Sequence, residues 1–512
     1  MMDQTTENNK RIAKNTSLLY IRMLVTMCIG LYTSRVVLQT LGISDFGLYN
    51  VVGGIVAMFS FLNGNLAGGT QRFLSFELGT GNKQKLRKTF STALILHIIL
   101  ALIILILAET LGLWFVYHKM NIGADRMNAA LWVYQCSVLA SMVSVIQVPF
   151  MSSLIAHEKM NIYAYMSIYD AGMKLLIVYF IQVIDYDKLI LYAALILIVN
   201  VSAAIIYNKY CSIHYEECRF RFVFEKSLFK EMLSFSGWNV IGTFASACNG
   251  QGVNILLNMF FGTIVNAARG IAFQVNNILL QFVNNFQTAV NPQIVKYYAN
   301  GQIVQMSRLV INNAKFAAFL LLIIAIPIFI EIEYVLRLWL GEYPKYAPLF
   351  LRIILIHSVI SSMTRPLVAM VHASGKVKMV SLTSGICLLI ALPVNYLFLK
   401  LGYPPEFVFI VNIIPTILEQ FFETYWMRRY IGFSMKSFYL KVYCSVFPLS
   451  LILFIPPYII SSYIENDTSR FFTVGFTSIA TSCIGIYFLG LNSSQRDSVL
   501  AFLKKKIFSR FK

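Results

Sequence analysis

Apolar stretches of nearly twenty residues recur along this chain and are separated by short polar connections. About fourteen of them follow one another between Thr16 and Gly490. A bilayer core about 30 Å thick needs roughly 20 helical residues to cross it, and windows such as 94–107 and 316–330 are apolar at their centres. The pattern predicts an all-α polytopic membrane protein with about 14 transmembrane helices and no soluble domain.

Composition and charge agree with this pattern. Hydrophobic residues make up 58% of the chain and charged residues 13%, and the net charge is +19. Such a charge could indicate nucleic acid as a partner, but the basic residues lie in connections between spans and not on one polar face, so no nucleic acid is expected. Clusters at 10–14, 83–88, 209–230 and 504–512 fall on alternate connections. Because positive connections stay in the cytoplasm, both termini are expected there and the number of spans is even.

The chain also repeats itself. A shift of 220 residues places Gly42 on Gly262 and Asn65 on Asn285, and a later shift of 217 places Pro149 on Pro366. Each copy holds an even number of spans, so the two six-helix repeats are expected to run parallel, related by an axis along the membrane normal. We predict an N-terminal lobe at 1–230 (spans 1–6), a C-terminal lobe at 231–430 (spans 7–12), and two added spans with a basic tail at 431–512. Such lobes suit transport by alternating access.

Arginines are the most informative charges within the spans. Arg22 and Arg35 lie in span 1, Arg269 in span 8 and Arg365 in span 10. A charge in hydrocarbon is costly and usually faces a cavity or a partner. The alternative is that each side chain carries its charge to the headgroups. Because a guanidinium binds phosphate oxygens bidentately, arginines in a hydrated cavity would suit a diphosphate.

Span 8 is also rich in amide side chains. A lipid-facing helix would not tolerate them, so they must find partners inside the bundle. They either hold helices together or line a polar cavity, where neutral donors and acceptors would suit sugar hydroxyls. The cavity-lining candidates are Gln274, Asn277, Gln281 and Asn284.

Three side chains are candidates for coupling transport to an ion: Glu419 in span 12, His97 in span 3 and His357 in span 10. A lone histidine on an apolar helix is also compatible with simple packing. Two other acidic residues are expected to be neutralised locally. Asp170 precedes Lys174 by one turn, and Glu423 is expected to pair with the arginines at 428 and 429.

Signatures of enzymes are absent from the sequence. It has no Walker A motif, no H-E-x-x-H and no G-x-S-x-G. Its cysteines form no C-x-x-C pair, and most lie in apolar segments. We therefore expect a protein that is not an enzyme and that needs no cofactor and no metal.

The connection between spans 1 and 2 resembles that of bacterial polysaccharide exporters. The segment 34–49, SRVVLQTLGISDFGLY, is similar to their R-x-LG-x-x-x-FG-x-Y stretch, although Arg35 lies further from Leu41-Gly42 than in the commonest form. Segments 68–72 and 79–82 resemble the G-x-x-x-R and G-x-G-[DN] elements that follow. Together with the two lobes and two added spans, these motifs resemble Wzx-type lipid-linked oligosaccharide flippases of the multidrug/oligosaccharidyl-lipid/polysaccharide (MOP) superfamily, whose fold is MATE/MurJ-like.

This resemblance implies a function. The substrate would be an undecaprenyl-diphosphate-linked O-antigen, capsular or exopolysaccharide repeat unit, moved across the bacterial inner membrane. Arg22 and Arg269 occupy places comparable to the diphosphate-binding arginines of related lipid flippases. Partners would be the polyprenyl-diphosphate-linked glycan, membrane lipids and polysaccharide polymerase machinery. A monomer is expected, because a fourteen-span bundle can complete its cavity alone.

Two alternatives remain. A multidrug and toxin extrusion (MATE) antiporter has the same fold, but it depends on a carboxylate in span 1 or 7, and residues 16–41 and 235–259 contain none. A membrane-embedded glycosyl polymerase is disfavoured by the duplication and by the short outer connections.

Overall fold

The computed structural model describes residues 2–58, 70–71, 73–78, 81–157, 159–219, 225–493 and 495–497. Side chains are described from residue 24 onward, apart from residues 160, 234–241, 285, 288, 289, 292, 296 and 299. All regular elements in this part of the chain are helices. In chain order, the longer helices are α1 (Met2–Ala57), α2 (Lys83–Leu107), α3 (Met127–Ala156), α4 (Met160–Val183), α5 (Lys188–His214), α6 (Lys226–Phe261), α7 (Thr263–Ala299), α8 (Ile303–Ile330), α9 (Ile332–Leu340), α10 (Ala347–Ser362), α11 (Arg365–Ser374), α12 (Val377–Lys400), α13 (Ile413–Ile431), α14 (Cys444–Tyr463) and α15 (Asp467–Gly485).

Several helices continue beyond these bounds. After α2, a π-helical turn, Ala108–Gly112, leads into Leu113–Lys119. A second π-helical turn, Tyr439–Tyr443, precedes α14, and a third, Ile486–Gly490, extends α15. A short helix, Phe407–Val411, leads into α13. With these extensions, Lys83–Lys119, Phe407–Ile431, Met435–Tyr463 and Asp467–Gly490 form continuous helical segments.

Helix α1 is too long for one straight crossing. At a rise of 1.5 Å per residue its 56 residues would span roughly 84 Å. The helix breaks at Gly42, where φ is +79° and ψ is 169°. Gly262, between α6 and α7, has nearly the same φ of +78°. Only glycine adopts this region without strain, so one glycine in each repeat ends a first helix and starts a second.

The helix bounds recur with the spacing seen in the sequence. Lys83 begins α2 and Ile303, 220 residues later, begins α8. With a shift of 217, the bounds of α4 coincide with those of α12 at both ends, and α5 ends at His214 as α13 ends at Ile431. The backbone therefore repeats as the sequence does, which agrees with the expected duplication.

Eleven helical segments of the described part are long and apolar enough to cross a membrane. The chain is thus a multi-pass membrane protein. Helices α6 and α7 are not among the eleven, and the expected total of about 14 spans stays a prediction.

The chain divides into two compact units. Unit 1 comprises Met1–Gly270, Glu342–Pro344 and Gly385–Val408, and unit 2 comprises Ile271–Gly341, Lys345–Ser384 and Phe409–Lys512. In unit 1, α3 packs on α5 and α2, and α1 packs on α4 and α6. In unit 2, α8 packs on α10, α14 and α15. The lobe boundaries expected at residues 230 and 430 stay predictions.

Candidate functional site

In unit 1, the second part of α1 lies very close to the junction of α6 and α7. A Cβ atom built on Gly47 would lie 1.9 Å from the carbonyl oxygen of Thr263, which no real side chain could do. The hydroxyl groups of Ser44 and Thr263 are 3.2 Å apart. Gly47 allows this approach, and one turn further along α1 the backbone meets polar side chains of α6 and α7.

These polar side chains are mainly asparagines. Asn254 donates from Nδ2 to the carbonyl oxygen of Asn50 at 3.2 Å. Asn266 donates from Nδ2 to the carbonyl oxygen and to Oδ1 of Asn254 at 2.6 and 2.8 Å. Asn258 accepts at Oδ1 from the backbone N–H of Asn121 at 2.9 Å. All three side chains on α6 and α7 are at most 2% exposed, so unit 1 contains a buried network of neutral donors and acceptors.

Arg269 lies one turn after Asn266 on α7. It is 8% exposed, and its Nη2 donates to the carbonyl oxygen of Gly250 at 2.6 Å. The following Gly270 packs against the side chain of Asn50. Arg269 is therefore held inside unit 1 beside the asparagine network. A guanidinium has five N–H donors in a planar fork, and this geometry suits phosphate oxygens.

The other predicted arginines lie elsewhere. The side chain of Arg22 lies outside the described residues. Arg35 is half-buried in α1 of unit 1, whereas Arg365 is exposed in unit 2. Arg365 is the first residue of α11. A role of Arg365 in substrate binding stays a prediction.

The predicted amides of α7 belong to unit 2. Gln274, Gln281 and Asn284 are half-buried and Asn277 is exposed. Two further amides of this helix form interhelical contacts. Ser358 donates to Oδ1 of Asn276 at 2.5 Å, and Gln287 donates from Nε2 to the carbonyl oxygen of Ser362 at 2.7 Å. Asn276 and Gln287 therefore hold α7 to α10, and the four more accessible amides remain the candidates for lining a polar cavity.

A second buried network of unit 2 is centred on Gln420 of α13. Its Nε2 donates to the carbonyl oxygen of Ile360 at 2.7 Å and to the hydroxyl group of Thr364 at 2.6 Å. Its Oε1 accepts a hydrogen bond from the Tyr443 hydroxyl group. This network ties α13 to α10 and to the π-helical turn before α14.

The expected pairing of Glu423 with the arginines at 428 and 429 is wrong for the described part of the chain. Glu423 is 2% exposed, makes no ion pair there, and its Oε2 has no hydrogen-bond partner. Five and six residues along a helix correspond to the opposite side, so those arginines turn away from it. Glu419, one turn earlier, is half-buried. Glu423 is thus the more buried of the two carboxylates, and a role of Glu419 in ion coupling stays a prediction.

The two candidate histidines have different surroundings. His97 is fully buried, and its Nδ1 donates to the carbonyl oxygen of Ala93 at 2.8 Å. This is the arrangement of a packed histidine on its own helix. His357 lies 2.8 Å from the hydroxyl group of Thr416, with Nε2 facing that group, and so links α10 to α13.

Sequence reasoning missed Lys315, which is 5% exposed within α8. Its ammonium group donates to the carbonyl oxygen of Gly490 at 2.9 Å and to Oε1 of Gln495 at 3.4 Å. The signal in the sequence was a single lysine directly before the apolar window 316–330.

Sequence reasoning also missed an ion-pair cluster in unit 1. Arg126 donates from Nε to Asp45 at 3.0 Å and from Nη1 to Asp187 at 2.6 Å. Asp187 caps the N-terminus of α5 by accepting from two backbone N–H groups. The predicted pair of Asp170 and Lys174 is confirmed at 2.7 Å.

Comparison with known proteins identifies the fold. A protein-family profile described as MatE matches residues 242–397. No curated protein sequence matches the chain. Among solved structures, an inward-facing multidrug-resistance MATE transporter of the MOP superfamily aligns with a TM-score of 0.67 at 16% identity, covering 81% of this chain and 98% of that chain. The lipid II flippase MurJ, in an inward closed conformation, aligns with a TM-score of 0.65 at 14% identity. This alignment covers 92% of this chain and 98% of the MurJ chain.

The chain has the MATE/MurJ-type transporter fold. A MOP-superfamily transporter from Pyrococcus furiosus, whose binding pocket is described as having reversed polarity, is also similar, with a TM-score of 0.59 at 15% identity over 82% of this chain and 96% of that chain. The MATE/MurJ-like architecture expected from the sequence is confirmed. At these identities the similarity shows the fold alone.

Proposed function

We propose that the chain is a flippase that moves undecaprenyl-diphosphate-linked oligosaccharide repeat units across the bacterial inner membrane by alternating access, for synthesis of O-antigen, capsule or exopolysaccharide. The observation that carries the proposal is Arg269, buried beside a network of neutral asparagines on a MATE/MurJ-type fold. A diphosphate requires a cation with several N–H donors, and sugar hydroxyls require neutral donors and acceptors. Arg22, Arg35 and Arg365 would add positive charge along the route that the diphosphate takes through the protein.

The added helices α14 and α15 also support a flippase. The alignment with MurJ covers 92% of this chain, whereas the alignment with the inward-facing MATE transporter covers 81%. Within unit 2, α14 and α15 are firmly packed on α8, and Lys315 bonds to the end of the α15 segment. Helices that are integrated in this way offer an apolar surface for a polyprenyl chain.

The alternative is a MATE-type cation-coupled multidrug antiporter. It is favoured by the MatE profile and by the TM-score of 0.67. A cationic drug, however, would be repelled by the arginines that we propose for the transport path. The sequence also lacks acidic residues in 16–41 and 235–259, where such an antiporter needs a carboxylate.

Flipping of a fluorescent polyprenyl-diphosphate glycan in proteoliposomes tests the proposal. We expect Arg22→Ala and Arg269→Ala to abolish flipping, and Arg269→Lys to retain part of it, because lysine keeps the charge and loses the bidentate fit. The matched control is Arg308→Ala, which removes an exposed arginine of α8 and should flip at the wild-type rate.

Wild-type flipping by both alanine variants would exclude these arginines from the mechanism. Gradient-driven extrusion of a cationic dye by the wild-type protein, without any flipping, would favour the antiporter instead.

A further inference from the structure

A cavity of about 510 Å³ lies at one end of unit 2, where α8 ends and α14 turns into α15. We call it the α9 cavity, because α9 forms one of its walls. Its charged lining consists of two carboxylates and two guanidinium groups, and aromatic rings form much of the rest. The residues that matter here are Glu331, Glu333, Tyr334, Arg352, Tyr458 and Arg470.

The α9 cavity lies at the level of the lipid headgroups. Helix α9 is amphipathic, with Ile332, Leu336 and Leu340 at most 1% exposed while Glu333 and Arg337 are exposed on its other face. It follows directly on α8, which is of membrane-spanning length. Residues that follow directly on the end of a span lie at the depth of the lipid headgroups.

The charges of the cavity cancel in two pairs. Arg470 donates from Nε to Glu331 at 2.9 Å, and Arg352 donates from Nη2 to Glu333 at 3.3 Å. A site with balanced charges does not favour a simple anion or a simple cation. It favours a ligand that itself carries both charges.

Each pair leaves charged groups available to a ligand. In the described part of the chain, no protein group engages Nη1 of Arg352 or of Arg470, or Oε2 of Glu333. The two Nη1 groups can donate to an anionic oxygen, and Oε2 can accept from an ammonium group. The ring of Tyr334 lies in the same lining, where it can face a cation.

Next to the cavity, α14 exposes an apolar surface where acyl chains can lie. Leu451, Ile452, Ile455 and Ile459 are 49–66% exposed. When the headgroup of a lipid occupies the cavity, its acyl chains can therefore pack against these apolar side chains.

We propose that the α9 cavity binds the headgroup of a zwitterionic phospholipid that carries a primary ammonium group, of the phosphoethanolamine type. Its phosphate accepts from Nη1 of Arg352 and Arg470, and its ammonium donates to Oε2 of Glu333. A phosphocholine headgroup has the same charges but no N–H donor, and a phosphoglycerol headgroup has no cation. Comparing binding of the three headgroups therefore distinguishes the effect of the ammonium hydrogen bond from the effect of the positive charge. The lipid site does not depend on which cargo the chain carries.

Native mass spectrometry of the purified full chain can test the site, using titrations with phosphoethanolamine, phosphocholine and phosphoglycerol lipids of identical acyl chains. For the wild-type protein we expect tighter binding of the phosphoethanolamine lipid by about tenfold, the effect of one charge-assisted hydrogen bond. Glu333→Gln should bind the phosphoethanolamine and phosphocholine lipids equally. Arg352→Gln should weaken binding of all three lipids, because it removes a phosphate donor. Glu333 is exposed, so its substitution should not impair folding, and unchanged thermal melting checks this.

The matched control is Glu465→Gln, an exposed carboxylate between α14 and α15 that does not line the cavity. It should keep the wild-type preference. Equal binding of the three lipids by the wild-type protein would overturn the proposal. A preference that persists unchanged in Glu333→Gln would place the lipid elsewhere and overturn it as well.

Discussion

Lys315 and Gly490 join α8 to the end of the α15 segment, with the ammonium nitrogen 2.9 Å from the carbonyl oxygen. Carbonyl groups in the last turn of a helix lack intrahelical donors and carry the negative end of the helix dipole. The rings of Phe316 and Phe319 have their centroids 5.6 and 5.9 Å from Nζ of Lys315. A lysine in the middle of α8 thus completes the end of another membrane helix.

Lys315→Met should loosen the packing of α15 on α8. Methionine fills the apolar path of the side chain but leaves the Gly490 carbonyl without its donor. We expect a loss of about 1–2 kcal/mol, seen as a lower melting temperature of the detergent-solubilised protein. Lys345→Met, which removes an exposed lysine of the same unit, is the control and should melt like the wild type. A melting temperature unchanged by Lys315→Met would mean that the bond to Gly490 contributes nothing to stability.

Gly47→Ala should disrupt the contact of α1 with α7. The new methyl group would overlap the Thr263 carbonyl group, whose oxygen lies 1.9 Å from the ideal Cβ position. Because backbone atoms on both sides must move, we expect a destabilisation of about 3 kcal/mol or more. Gly172→Ala in α4 is the matched control, since no atom lies within 4 Å of its Cβ position, and it should be neutral or slightly stabilising. Equal melting temperatures for the two variants would contradict the close packing.

The helical architecture could be predicted from the sequence because membrane spans are long apolar runs. The repeat could be detected because both copies require glycine at equivalent positions of the backbone. Gly42 and Gly262 illustrate this, since their shared backbone conformation excludes other residues. The segment around Arg35 to Tyr49 was recognised as a motif, but the reason for Gly47 was not visible, because its contact is made 216 residues away. Long-range contacts of this kind cannot be read from local pattern.

The candidate site was less predictable. Arg269 was a candidate because a charge inside a span is costly, and it is buried, but its role in binding stays a prediction. The asparagines of α6 were not predicted as site residues. In the sequence, an amide that bonds two helices together looks the same as an amide that binds a ligand. Glu423 was misjudged because proximity in sequence was taken for proximity in space.

Asp187 offers a test in which charge and capping can be separated. Burial raises the pKa of Asp187, but the hydrogen bond from Arg126 and those from the backbone N–H groups of Ile190 and Leu189 outweigh it, so the pKa is lowered. Asp187→Asn keeps the helix cap, since asparagine caps as well as aspartate, and removes only the charge. At pH 7 we expect it to cost about 1 kcal/mol, and Asp187→Ala should cost more.

The pH dependence of this effect has a definite sign. A carboxylate with a lowered pKa stabilises the folded state above its unfolded pKa of about 3.9 and loses that contribution as the pH falls through its folded value. The difference in melting temperature between the wild type and Asp187→Asn should therefore be constant from neutral pH to about pH 5 and shrink below about pH 4. A difference that grew on acidification would contradict the ion pair with Arg126.

The last prediction concerns the energy source. Without a nucleotide-binding motif, net flipping must draw on an ion gradient, on the membrane potential or on removal of the product. Glu419, His97 and His357 were the candidates from the sequence, and the structure adds Glu423, whose buried Oε2 lacks a hydrogen-bond donor. A carboxylate in such surroundings requires a proton or a cation as its counterpart.

We expect the combined variant Glu419→Gln, His97→Asn and His357→Asn to lose the response of flipping to imposed pH or Na⁺ gradients in proteoliposomes. Glu423→Gln alone should reduce that response more than His97→Asn alone, because His97 already donates to a carbonyl group of its own helix. Glu465→Gln, at an exposed position outside the helices, is the control for loss of a carboxylate. If flipping and its gradient response were unchanged in all of these variants, transport driven by potential or by product removal would be the better explanation, and the arginines alone would handle the anionic headgroup.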